Sequence, residues 1–203
     1  TIDPGAGGVD PDVAEGVRKA ASALAAAGYI VEEAEPPSIV EGAELWGALL
    51  FADVNATLRP VMERTASRDA MRVLDFFTEI VPALDLEGYM TALSTRHGIA
   101  REWAQFQEAR PLILGPVSTL PPFPVGADLR GVDEMREIVD SMRLVVNVNL
   151  LGLPSVALPV GTAQGLPQGV QIIGPRFRED LCLDAAEAIE TRVGVITPID
   201  PRS

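Results

Sequence analysis

Few residues in this chain are of types that do covalent chemistry. There is one histidine, His97, one lysine, Lys19, and one cysteine, Cys182. A Ser–His–Asp triad needs an imidazole held between a nucleophile and an acid. His97 lies in the helical pattern Leu93-Ser-Thr-Arg-His-Gly-Ile, and no Gly-x-Ser-x-Gly nucleophile elbow is present. It reads as a surface or helix-packing residue. A Ser–Lys pair needs a lysine whose pKa is depressed by burial. Lys19 follows Arg18 on a helical segment and reads as solvated. Cys182 alternates with apolar neighbours and reads as inert core. One cysteine leaves no intrachain disulfide or Cys-based zinc site, and one histidine leaves no two-His metal site. Glu32, Glu33 and Glu35 have no second acidic cluster to complete a metal site and read as a solvated strand face. No catalytic residue, metal or cofactor is therefore assigned to this chain.

What remains are groups that could bind rather than react. The stretch Pro116 to Gly126 carries prolines at 116, 121, 122 and 124, which predict a long loop of restricted shape. Such ordered loops are often functional, and this one offers Ser118, Thr119 and Phe123. Trp46, Phe51 and Trp103 are of the type that either fills a core or lines an apolar pocket. Trp46 is carried forward as a fourth candidate substrate contact. Ser155, following Pro154, either presents a hydroxyl to a pocket or satisfies local backbone groups.

The elements that must position these groups alternate at both ends of the chain. Asp10 and Pro11 predict an N-cap and first helical residue, with Val13, Val17, Ala20, Ala21 and Leu24 at helical spacing and Gly28 as the terminal cap. Tyr29 to Ala34 reads as a short strand. Ser38-Ile-Val-Glu41 reads as a capping box opening a helix to about Leu58. Further helices fill 60–110, broken near Pro82 and restarted after Asp85. Pro111 to Gly115 reads as a buried strand, and Asp133 to Leu151 as one helix closed by Gly152. Ser155–Gly161 and Gly169–Ile173 read as strands joined by a Gly/Pro-rich turn. Glu179 and Asp180 open a last helix whose stripe is Leu181, Ala185, Ala188, Ile189 and Val193. Helices and strands alternating around a helical middle predict an α/β layered fold.

The 203 residues suffice for one domain with a sizeable core, and no linker divides them. Hydrophobic residues at 47% are too many for a disordered chain. A formal net charge of −13 disfavours contact with phosphate backbones, so no nucleic-acid partner is expected. No apolar run approaches spanning length and residues 1–10 do not form a signal peptide, so no membrane contact and a cytoplasmic location are expected.

The densest motif is Asn149-Leu-Leu-Gly-Leu-Pro-Ser-Val-Ala-Leu-Pro-Val-Gly161, followed by Gly165-Leu-Pro-Gln-Gly-Val-Gln-Ile-Ile-Gly174 and Glu179-Asp180. It resembles the C-terminal hallmark of the amidase signature family of Ser-cisSer-Lys amide hydrolases. Asp10-Pro-Asp-Val through Gly28-Tyr-Ile-Val-Glu-Glu, and Glu102-Trp-Ala-Gln-Phe through Leu112-Ile-Leu-Gly-Pro116, resemble further family segments in the expected order. The chain departs from the pattern at Pro111, where an Asp is usual, and at Pro116-Val117, where the family has Pro-Thr.

The resemblance implies an α/β/α sandwich around a mixed sheet, with residues 1–203 as the C-terminal part of a single amidase domain. It implies cofactor-free hydrolysis of a small-molecule carboxamide to a carboxylic acid and ammonia or amine through a Ser acyl-enzyme. The nucleophile, the second Ser, the Lys and the oxyanion donors belong to an N-terminal portion of the family, whose Gly/Ser-rich stretch does not occur here. This chain alone is then expected to be inactive. Its partners would be the N-terminal portion of the same enzyme and, as in many family members, a second copy in a homodimer. The loop holding Ser118, Thr119 and Phe123 is placed near the pocket by the same analogy. Two alternatives share the motifs: the A subunit of a tRNA-dependent amidotransferase, and a non-catalytic amidase-like binding module.

Overall fold

The computed structural model describes residues 1–194, so the expected end of the domain at 203 lies outside the described residues. Three strands, β1 (Ile113–Pro116), β2 (Ser155–Ala163) and β3 (Leu166–Ile173), form a sheet in the order β1-β3-β2, antiparallel throughout. Eight α-helices among the described residues surround it: α1 (Pro11–Ala26), α2 (Ile39–Asp53), α3 (Arg59–Thr65), α4 (Arg68–Ile80), α5 (Leu86–Ala109), α6 (Val132–Ser141), α7 (Arg143–Leu151) and α8 (Glu179–Val193).

The strand period of two decides the layering. Val170 and Ile172 of β3, with Leu158 and Val160 of β2, pack against Val17, Ala20 and Leu24 of α1 and Ala185 and Ile189 of α8. Ile173 and Ile113 point to the other face, where Trp103 of α5, Leu49 of α2 and Leu144, Val148 and Leu151 of α7 enclose them. The expected α/β/α layering is present, but the three described strands are all antiparallel where a mixed sheet is expected. Burying the sheet on both faces removes apolar side chains from water on each side of one backbone layer, at roughly 25 cal/mol per Å² of apolar surface.

Local signals place most elements where the sequence reading puts them. The Asp10 carboxylate accepts from the amides of Asp12 and Val13 and caps α1, with Pro11 as its first residue. Asp85 caps α5 by accepting from Gly88 N at 2.8 Å, after the break at Pro82. The β2–β3 hairpin turns on Gln164 and Gly165, both left-handed at φ 52° and 79°, which suits the twist of a two-residue turn. The strands are longer and the turn tighter than expected.

Four expectations about the elements are corrected. Tyr29 to Ala34 is not a strand: Ile30 is 98% exposed and no ladder partner lies beside the segment among the described residues. Side chains hold it instead, with Arg110 ion-paired to Glu32, and Glu35 accepting from Thr1 Oγ1 and from Gly5 N at 2.6 Å. Ser38 makes no capping box. It is left-handed at φ 55°, and its hydroxyl donates to Glu102 Oε2 at 2.6 Å across to α5. The helix after it continues beyond Leu58 through a π-helical turn at Val54–Leu58 into α3, which begins just before Pro60. The extra residue of a π turn accommodates a proline that lacks a donor. Asp133 to Leu151 is not one helix. α6 ends at Ser141 and α7 starts at Arg143, with Met142 between them at φ −96°, ψ 12°. The Ser141 carbonyl is taken by Thr119 N at 2.8 Å, so it is not left to continue the helical ladder.

Two close contacts depend on particular side chains. The register of β2 and β3 shifts between Pro159 and Gly161, leaving Val160 as the extra residue of a bulge. Lys19 Nζ donates to the Val160 carbonyl at 2.7 Å, so the lysine pins α1 to the strand rather than simply being solvated. At the α2–α7 contact, Asn147 is fully buried and its Nδ2 donates to the carbonyls of Ile39 (2.7 Å) and Arg143 (2.8 Å). A Cβ at Gly42 would lie 1.9 Å from Asn147 Oδ1. Gly42→Ala is expected to lower stability by about 1–3 kcal/mol despite its better helix propensity. Lys19→Met, which leaves the bulge carbonyl without its donor, is expected to lower it by about 1 kcal/mol. Urea unfolding of both variants checks these values, and an unchanged midpoint for either refutes the contact invoked.

Candidate substrate-binding site

The proline-rich loop is bolted to the break between α6 and α7. Ser118 Oγ accepts from Leu120 N at 3.1 Å and lies 3.1 Å from Ser141 Oγ, and Ser141 in turn donates to Ile138 O at 2.7 Å. Thr119 is 2% exposed: its amide donates to Ser141 O and its carbonyl accepts from Asp10 N, both at 2.8 Å. Ties to the α1 cap and to the end of α6 thus fix the loop's course before any ligand arrives, which lowers the entropy lost on binding.

A cavity of about 550 Å³ opens beside Thr119. Gly7, Gly8 and Leu120 form part of its wall, Asp133, Arg136, Glu137 and Asp140 of α6 line another part, and Arg143 lies at the start of α7. Arg143 is only 9% exposed. Its Nη2 donates to Gly8 O at 3.2 Å, its Nε has no partner, and it forms no ion pair among the described residues. The turn at Gly5–Gly8 makes room for it: a Cβ at Gly7 would fall 1.4 Å from Arg143 Nη1. Buried charges are ordinarily paired, so this guanidinium is an electrostatically unsatisfied group beside the cavity. The α6 carboxylates, on exposed residues, are screened by water.

Of the four candidate contacts, the structure brings Ser118 and Thr119 together, with Thr119 on the cavity wall and Ser118 engaged in the loop's own hydrogen bonds. Phe123 sits further along the loop, 37% exposed, and does not line the cavity. Trp46 does not line it either. It packs on α2 against the helical core, and its indole donates to Asn149 Oδ1 at 3.1 Å. Arg136, Ser141 and Arg143 are not among the residues that the sequence reading singles out. The available signal is Arg143 itself, a charge opening the apolar run Leu144-Val-Val.

The reactive residue types are dispersed. His97 is exposed on α5, and Ser155 opens β2 with its hydroxyl 3.4 Å from Gln171 Oε1. Cys182 is buried, its thiol facing Pro154 O at 3.7 Å, and burial pushes its pKa up, away from the reactive thiolate. Among the described residues there is no group of three or more His, Cys, Asp or Glu side chains that could hold a metal, and no helix long and apolar enough to cross a membrane.

A layered α/β fold, a β2–β3 hairpin carrying the Gly-Leu-Pro motif and a proline-rich loop beside a cavity are the features on which the chain resembles known proteins. The Amidase family model matches residues 2–183, and the chain belongs to that family. It is 35% identical over 189 residues to an indoleacetamide hydrolase of Bradyrhizobium diazoefficiens, a match covering 93% of this chain and 36% of the relative. It is 28% identical to the A subunit of a glutamyl-tRNA(Gln) amidotransferase from Streptococcus suis, over 90% of this chain and 42% of the relative. The structure of a 6-aminohexanoate cyclic dimer hydrolase in complex with substrate superposes with a TM-score of 0.71 at 23% identity, over 90% of this chain and 42% of that one. The chain therefore spans roughly two fifths of the length of the relatives it matches.

Ser141→Ala removes the hydroxyl that links loop, helix end and Ser118. The expected outcome is a loss of about 1 kcal/mol in urea unfolding and faster proteolysis within 117–126 at unchanged helix content. Wild-type proteolysis rates would refute the bolting of the loop.

Proposed function

We propose that this chain is the C-terminal part of an amidase domain. The complete enzyme hydrolyses a small carboxamide to a carboxylic acid and ammonia or an amine through a Ser acyl-enzyme. Its nucleophile, second Ser, Lys base and oxyanion donors come from an N-terminal portion of the same enzyme. This chain contributes three strands, the helical layers and one wall of the substrate pocket. The observation that carries the reading is the family match across residues 2–183 in a chain whose own Ser, Lys and His residues are dispersed. The 35% identity to an indoleacetamide hydrolase favours a small primary amide as substrate.

In this reading Thr119 contacts the substrate directly, Ser118 holds the loop in shape, and Phe123 and Trp46 meet substrate only where the N-terminal portion extends the pocket towards them. The A subunit of an amidotransferase is the second reading, favoured by the 28% match over 90% of the chain. Glutaminase activity together with a stably bound second protein would distinguish it.

A fluorophosphonate that labels activated serines, followed by intact-mass measurement, tests the assignment. The chain alone is expected to remain unlabelled and to release no ammonia from indole-3-acetamide. The same chain extended upstream to carry the Ser-rich stretch is expected to take one label and to turn over. A label on the 203-residue chain itself would sink the proposal and return attention to Ser155 and Lys19.

A further inference from the structure

A second cleft, of about 470 Å³, lies between α5 and the turns that follow α7 and β3. Trp103, Leu151, Leu153 and Pro175 give it apolar walls. Gln107 is 5% exposed, lines the cleft, and its amide nitrogen has no hydrogen-bond partner. Buried amides are nearly always paired, so an orphaned N–H on a cavity wall calls for an acceptor.

The charges around the cleft say what kind of acceptor. Arg101 and Arg176 both line it, against one acid, Glu108. Arg101 is exposed and enters no ion pair among the described residues. Arg176 is held in place by Nη2 donating to Leu151 O at 2.7 Å. A local excess of guanidinium is unusual on a chain of net charge −13. Two arginines and an unpaired amide around an apolar hollow complement a group that is anionic, planar and oxygen-rich at one end and apolar at the other.

We infer that this cleft is a binding site for a small apolar carboxylic acid. The carboxylate takes hydrogen bonds from Arg101, Arg176 and, after a small side-chain adjustment, from Gln107, while its hydrocarbon part packs on Ala104, Leu153 and Pro175, with the buried Trp103 and Leu151 behind them. None of these residues lines the Thr119 cavity. The inference stands apart from the hydrolysis proposed above, since it needs neither a nucleophile nor an N-terminal portion.

The test is a titration of the 15N-labelled chain with phenylacetate, followed through the backbone amide resonances of Leu153 and Arg176 and, where it is present, the side-chain amide of Gln107. Saturable shifts are expected, with a Kd of about 1 mM or tighter. R101Q and Q107L are each expected to weaken binding by about fivefold or more. Phenylacetamide, lacking the charge, is expected to bind about tenfold more weakly than the acid. T119V, in the other cavity, should bind phenylacetate as the wild type does. R101Q alters an exposed residue, so it reports on binding even if Q107L fails to fold. Absence of saturable shifts up to about 10 mM overturns the inference. So does wild-type affinity in R101Q, or equal affinity for acid and amide.

Discussion

The structure depends on one strand being buried on both faces and paired on both edges. Val170, Gln171, Ile172 and Ile173 of β3 are all 1% exposed or less, and both neighbouring strands take their register from it. A central strand in that position cannot tolerate an unpaired polar group. The one polar side chain of this run, Gln171, donates from Nε2 to Pro116 O at 2.9 Å, and its Oε1 lies 3.4 Å from Ser155 Oγ, so it joins the end of β1 to the start of β2. Because successive residues face opposite ways, this short run commits α1 and α8 to one side and α2, α5 and α7 to the other.

Helices can approach that closely only where side chains are missing or closely accommodated. A Cβ on Gly16 of α1 would meet Gln168 Oε1 at 2.0 Å, and one on Gly174 after β3 would meet Cys182 Sγ at 2.7 Å. These glycines, with Gly42 opposite Asn147, set the layer spacing. Gln168 uses the proximity, donating to Val13 O of α1 at 3.2 Å. The Lys19 bond to the Val160 bulge works in the same direction, tying the covering helix to an irregular point of the strand.

The Thr119 cavity follows from the same economy of backbone partners. The break at Met142 frees the Ser141 carbonyl, the proline loop takes it, and the α1 cap residue then bonds to the loop. Three segments distant in sequence are joined by two main-chain hydrogen bonds. The α7 that starts beyond the break brings Arg143 into a turn of glycines beside the cavity, without a carboxylate partner among the described residues. A charge left in that state is the group beside the cavity with the greatest unmet demand for an anionic partner.

Local chemistry is sufficient to read much of this from the chain. Asp10-Pro11 and Asp85 announce helix starts because a carboxylate must meet free amides there. Val170, Ile172 and Ile173 within Gly169–Ile173 announce a strand, and the Gly-Leu-Pro motifs with Glu179-Asp180 carry the family. Each of these signals is complete within a few residues. What only the tertiary structure decided concerns groups whose partners lie far along the chain. Tyr29 to Ala34 has strand-like composition but no neighbouring ladder among the described residues, so it is not a strand. Ser38 and Glu41 spell a capping box, yet Glu102 of α5 claims the hydroxyl. Residues 133–151 read as one helix until Thr119 removes a carbonyl from its ladder. Arg143 and Gln107 acquire meaning only once burial has stripped them of water without providing a full set of partners. A sequence lists donors and acceptors, but which of them meet is settled by the packing of segments far apart along the chain.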